Sequence, residues 1–349
     1  MKKYWKLMVL LIVSALIIPA CSNTADNTSN GRKVKLIKNE DQVYVGFLID
    51  TLKDARWYRD KKLFEKQVKD LGGEVKTLAA NGLDDVQIDQ AKLLIEEGVD
   101  ILVVVPHNAE IAAKIVTMAH KSGVKVISYD RLIANANVDY YISFDNEKVG
   151  ELQAKEILKH QPEGNFAYVG GAESDHNAIL FRQGAMNVLK PLIDKGKVKL
   201  VYDQYTNEWD PETAKKNMQA LLKKRGNKID AVIAANDGTA GGVIEALDTA
   251  GLARKVPVSG QDAELPAIHR ILKGTQTMTV YKPISKIATE AAKLAVHVAE
   301  GKKVTTDTTI NNGKINVPTI LLEPIAVTKR NIKDTVIQDK FYTKQEVYQ

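Results

Sequence analysis

The run Ile101-Leu102-Val103-Val104-Val105, followed at once by Pro106-His107-Asn108, decides how this chain folds. Five consecutive apolar residues make a strand without a polar face, so both faces must be covered, the condition of a strand inside a parallel sheet between helices. One half of a sandwich would alternate polar and apolar residues instead. Helical patterns stand on both sides, at 84–97 and 109–122.

The alternation continues outward in both directions. Short β-branched runs predict strands at 43–49, 74–79, 101–105, 124–129 and 140–144, then at 165–170, 198–202, 231–235, 256–260 and 277–281. Helical stretches such as 60–71 separate most of them, which is the β-α-β-α order of parallel sheets. So many strands exceed what one doubly wound domain usually holds. The expected fold is therefore α/β, with two doubly wound parallel-sheet lobes and chain crossings near 145–150, 282 and 311–313 that form a multi-strand hinge. The expected division is a first lobe of 42–147 plus 282–310 and a second of 148–281 plus 311–349.

A length of 349 residues with 44% hydrophobic content suits two lobes with real cores. The net charge of +6 owes half its excess to Lys2, Lys3 and Lys6. The rest is spread over alternating Lys, Glu and Asp, a solvated surface and not a nucleic-acid stripe. Residues 1–20 read as a signal segment: a basic start, a mostly apolar run from Leu7 to Ile18, then small residues. The run ends Ile18-Pro19-Ala20-Cys21-Ser22, which resembles the lipobox of bacterial lipoproteins, although Ile18 and Pro19 depart from its usual Leu-led form. Cys21 is the only cysteine, so no intramolecular disulfide can form. A lipid on Cys21, with 21–41 as anchor and tether on the outer face of the cell membrane, is the expectation; a plain signal peptide is the alternative.

Ligands of open α/β sheets bind beyond the carboxyl ends of the strands. Here the strands run into Asp54-Ala55-Arg56-Trp57, Pro106-His107-Asn108, Asp130-Arg131, Asp175-His176-Asn177, Asn207-Glu208-Trp209, Asn236-Asp237, Gln261-Asp262 and Lys282. A sugar needs this mixture. Each hydroxyl both donates and accepts, so carboxylate and amide oxygens must face it beside Arg, Lys or Asn nitrogens, while the C–H faces of the ring pack on flat aromatics. Two of the three tryptophans, Trp57 and Trp209, fall at these ends, although core packing would also account for either. Arg56 and Arg131 could instead pair with Asp54 and Asp130, and Asp262 and Asn177 could cap helices.

Several strings together resemble the D-xylose-binding proteins of bacterial ABC transporters, within the ribose/galactose-type periplasmic sugar-binding family. They are Asp54-Ala55-Arg56-Trp57, Tyr129-Asp130-Arg131-Leu132-Ile133, the stretch 141–150, the stretch 236–242, Ser259-Gly260-Gln261-Asp262-Ala263 and the stretch 274–283. The resemblance runs from about 43 to 335. It implies a type I periplasmic-binding fold closing on D-xylose. It also implies sugar contacts at Arg56, Arg131, Asn177, Trp209, Asn236, Asp262 and Lys282, with Trp57 and Asp130 beside them and His107 further out. The partner it implies is an ABC permease or, alternatively, a membrane sensor histidine kinase; no cofactor is implied.

Other chemistries lack their residues. No Gly-x-Gly-x-x-Gly turn, no Gly-Lys-Ser/Thr phosphate loop and no Gly-x-Ser-x-Gly elbow occurs, and the six histidines form no i, i+4 pair. Glycosidase chemistry would draw on Asp54, Asp130, Asp237 and Asp262, but neighbouring arginines hold the first two as ionised acceptors. A signal segment stands where a DNA-binding relative of this fold would carry its helix-turn-helix. The chain is therefore expected to bind and not to catalyse.

Overall fold

The computed structural model describes residues 35–53, 55–306 and 308–349. The signal segment, Cys21, the tether up to residue 34 and Asp54 lie outside the described residues. The tether expected to run to 41 is fastened earlier: Lys35 is buried, its Nζ donating to the Gln42 carbonyl at 2.7 Å and lying 2.5 Å from Asp100.

The first part of the chain runs β1 (Tyr44–Ile49), α1 (Ala55–Asp70), β2 (Glu74–Ala79), α2 (Asp84–Glu96), β3 (Ile101–Val104), α3 (Ala113–Lys121), β4 (Lys125–Tyr129) and β5 (Tyr140–Phe144). It continues α4 (Asn146–His160), β6 (Gly164–Val169), α5 (His176–Asp194), β7 (Val198–Gln204), α6 (Pro211–Arg225), β8 (Ala231–Ala234), α7 (Asp237–Thr249), α8 (Leu265–Lys273) and β9 (Met278–Tyr281). It ends α9 (Ile284–Ala299), β10 (Thr308–Asn311), β11 (Asn316–Leu322), β12 (Ile325–Thr328) and α10 (Lys344–Tyr348).

The first lobe holds a sheet ordered β10-β11-β5-β4-β3-β1-β2, parallel except where β10 meets β11. The deciding run behaves as its composition requires. Ile101 and Val103 pack with Phe47, Phe64 and Ile287 on one face, while Leu102 and Val104 pack with Leu94, Ile115 and Val116 on the other. The second lobe repeats the plan around β7-β6-β8, with Phe166 and Tyr168 against Leu189 on one face and Ala167 and Val169 beside Met218 and Val243 on the other. The expected strand at 256–260 is reduced to single bridges, Val258 to Val232 and Gln261 to Val280. Pro257 has no N–H to give, and the Val258 N–H goes to the Thr277 hydroxyl at 3.1 Å.

The chain crosses between lobes at Asp145, at Lys282-Pro283 and at Glu323-Pro324. The third crossing lies beyond the expected 311–313, and residues 311–322 belong to the first sheet: β11 pairs in register with β5. Asn311-Asn312-Gly313 is a hairpin turn, with Gly313 at φ +91 and the Asn312 amide donating to the Ile133 and Ala136 carbonyls at 3.0 and 2.7 Å. The first and third crossings run side by side, the Asp145 N–H donating to the Leu322 carbonyl at 2.9 Å.

Candidate functional site

All nine residues that the resemblance implied line one cavity between the lobes: Arg56, Trp57, Asp130, Arg131, Asn177, Trp209, Asn236, Asp262 and Lys282. Asp175, Phe181 and Gln261 complete the wall. The wall carries three cations, Arg56, Arg131 and Lys282, against three carboxylates, Asp130, Asp175 and Asp262. Such a balance suits an uncharged polar ligand better than an ion.

Arg56 and Trp57 come from the first turn of α1, which starts earlier than the expected 60–71 helix. The Arg56 guanidinium is shared: Nη2 donates to Asp130 Oδ2 at 2.8 Å, Nη1 to Asp262 Oδ1 at 3.3 Å and Nε to Asp60 at 3.4 Å. Because Asp262 belongs to the second lobe, one guanidinium touches carboxylates of both. Trp57 is 2% exposed and joins the first-lobe core while lining the cavity. Arg56 stacks on its ring at 4.2 Å, and its indole N–H is buried without a partner among the described residues.

Asp130 follows β4 with φ +60, a conformation that costs a non-glycine residue energy unless its surroundings impose it. Here they do. Its N–H donates to the Ile142 carbonyl at 2.8 Å, and its carbonyl accepts from the Ser143 hydroxyl at 2.6 Å, from Tyr141 at 3.0 Å and from Asn177 at 3.2 Å. Burial alone would raise the Asp130 carboxyl, but Arg56, then Lys282 and Arg131, outweigh it and hold it at about 2. It is an ionised acceptor at any physiological pH.

Arg131 sits between lobes, with Nη1 donating to Asp50 Oδ2 at 2.7 Å and Nε 2.7 Å from Asp175 of the second lobe. His107 is not part of the cavity wall: its Nδ1 lies 2.9 Å from Asp50, and that bond raises its pKa. The helix-cap alternatives are resolved. Asp175, not Asn177, caps α5, accepting the Asn177 N–H at 2.9 Å, which leaves the Asn177 amide to donate to Asp130 Oδ1 at 3.0 Å. Asp262 does not cap α8, whose N-cap is Glu264. Asn236 does cap α7 through Oδ1, so Nδ2 is the group it can offer the cavity.

Trp209 closes the far side at φ +56, edge-on to Phe181 at 6.3 Å. Gly171 lies against its ring, where an added Cβ would come within 2.0 Å. Lys282, buried at the second crossing, lies 3.7 Å from Asp130 and 3.5 Å from Asp262.

Sequence reading missed four contributors. Asp175 and Gln261 stood in the quoted loops beside residues that were chosen. Phe181 falls one turn beyond Asn177, a spacing that puts both on one helix face. Asp60, four residues after Arg56, carried the same signal. Among the described residues no cluster of His, Cys, Asp or Glu could hold a metal ion.

Two lobes closing on a balanced polar cavity at their strand ends define a solute-binding protein, and the chain belongs to the periplasmic binding protein family, whose domain model matches residues 45–303. The family is one of binding proteins and not of enzymes. The chain is 50% identical to the D-xylose-binding periplasmic protein of Haemophilus influenzae over 87% of its length and 92% of the relative's. It is equally 50% identical to the protein of that name from Escherichia coli, over 88% and 93%. Among solved structures it resembles an ABC transporter solute-binding protein from Clostridium phytofermentans with bound β-D-glucose, at TM-score 0.82 and 31% identity, covering 87% of this chain and 99% of that one.

Proposed function

We propose that this chain binds D-xylose outside the cytoplasm, in the cleft between its lobes, and delivers it to an ABC-type importer. The observation that carries this reading is that Arg56, Trp57, Asp130, Arg131, Asn177, Trp209, Asn236, Asp262 and Lys282 line one cavity, with its cations and carboxylates in balance. The two 50% identical relatives named for D-xylose support the choice of sugar, and the solved transporter protein supports the choice of partner.

Xylose is held first by Arg56, Trp57, Asp130 and Arg131 of the first lobe. Hinge closure then brings Asn177, Trp209, Asn236 and Asp262 onto it, and the closed form presents the complete surface to the permease. Buried charged donors and acceptors discriminate sugars because a missing hydroxyl leaves one unpaired, at roughly 1–3 kcal/mol. A lipid on Cys21 tethers the protein to the membrane; Ile18-Pro19-Ala20-Cys21 supports this, and Cys21→Ala is expected to release it from membranes.

A tryptophan-fluorescence titration with xylose, ribose, arabinose, glucose and galactose tests the reading. Xylose should bind tightest, with a Kd on the order of micromolar, about −8 kcal/mol. Tighter binding of ribose or glucose would overturn the xylose assignment and leave the fold untouched.

A further inference from the structure

The cleft extends beyond this inner cavity. Past Arg131 and Asp175 lies a second compartment that opens to solvent, bounded by Lys53, Asn81, His107, Ser174 and Glu208 among others. Arg131, Asp175 and Trp209 line both compartments and so form the wall between them.

That wall is ionic and braced from both lobes. Arg131 Nε lies 2.7 Å from Asp175 Oδ2, and both side chains are buried. On the first lobe Arg131 is held by Asp50 at 2.7 Å and by the Pro106 carbonyl at 3.2 Å, with His107 against the other Asp50 oxygen. On the second lobe Asp175 is fixed as the N-cap of α5. Neither partner can swing aside without losing a second bond.

The outer compartment has what another sugar ring would need. Amide, hydroxyl, ammonium and carboxylate groups surround it, and Trp209 supplies a flat surface that both compartments share. We infer that the Arg131–Asp175 pair sets ligand length: it confines the site to one sugar ring and shuts off a chamber able to take a second. This rests on the proposal that the inner cavity holds a pyranose. Asp175 is on this account a specificity-determining residue, and the class of ligand it excludes is the two-ring, glycosidically linked sugar.

Calorimetric titration of the mature protein and of Asp175→Ala with D-xylose and with β-1,4-linked xylobiose tests this. The wild type should bind xylose at least a hundredfold more tightly than xylobiose. Asp175→Ala should lose xylose affinity at least tenfold while gaining affinity for xylobiose, so that the ratio moves more than tenfold toward the disaccharide. Adding Lys53→Trp to fill the outer compartment should cancel the xylobiose gain alone. Asp175→Asn, isosteric and uncharged, should shift the ratio in the same direction by less. A ratio unmoved in both folded Asp175 variants, no sugar bound by either, or equal wild-type affinity for the two sugars would overturn the inference. Failure of the wild type to bind xylose would sink the pyranose reading itself.

Discussion

Asp60 and Asp130 flank the same guanidinium and are driven in opposite directions. Burial pushes the Asp60 carboxyl from 3.8 up to about 6, against the pull of Arg56 and of the Tyr129 hydroxyl at 2.5 Å, whereas Asp130 is held down at about 2. Because the folded chain binds the Asp60 proton more tightly than the unfolded chain, the stability this group contributes is full below about pH 3.8. That advantage fades as pH rises through 6 and is worth about 3 kcal/mol. Asp130 contributes the reverse: stability present above 3.8 and lost as pH falls through 2. Asp60→Asn should therefore gain on the wild type by on the order of 5 °C in Tm between pH 4 and pH 7; a constant difference in Tm across that window would contradict the assignment. At this scale the sequence was legible where a residue type has one use. Arg, Asp and Trp at strand ends pointed to the cavity, but nothing in the string told that Trp57 would serve core and cavity together, or that Asp175 would cap α5 and free Asn177.

Elements were legible wherever hydrophobic period set them. The strands appear within a residue or two of expectation because their apolar runs must be covered on both faces. What escaped was decided by backbone hydrogen bonding: Pro257 thinned one strand to bridges, and a turn at Asn312 kept 311–322 in the first sheet. Helices α4 and α5 show how packing reaches the site. They cross where Gly150 and Gly184 face each other's backbones: a Cβ on Gly150 would lie 1.9 Å from the Phe181 carbonyl, and one on Gly184 would lie 1.9 Å from that of Glu147. Gly150→Ala should cost about 1–3 kcal/mol by forcing the helices apart. Because α5 carries Asn177 and Phe181, sugar affinity should fall as well. Thermal melts and titration of the same preparation check both; an unchanged Tm would refute the close-packing argument.

The whole molecule is tied together a second time, away from the sugar cleft. The C-terminal tail packs on the second lobe through Ile332, Val336, Tyr342 and Val347, together with Ile268, Tyr281 and Val327. From α1 of the first lobe Arg59 reaches it, stacking on Phe341 at 4.1 Å and Tyr342 at 4.4 Å and donating to the Phe341 carbonyl at 2.8 Å. Contacts that bridge lobes favour closure by what they lose on opening, about 0.5–2 kcal/mol for stacked cations. Arg59→Ala should thus weaken xylose binding roughly two- to thirtyfold, through faster release and not slower capture. Stopped-flow fluorescence separates these rates, and a change confined to capture would contradict the bridge.

The central claim is that one sugar ring is held between the lobes by Arg56, Asp130, Asn177, Trp209, Asn236, Asp262 and Lys282. A crystal structure of the mature protein with D-xylose tests it most directly. The account predicts a single pyranose in the inner cavity, with Arg56, Asp130 and Asp262 in hydrogen-bonding contact with its hydroxyls and a tryptophan ring against one face. Xylose bound elsewhere, or a ring that touches one lobe only, would contradict it.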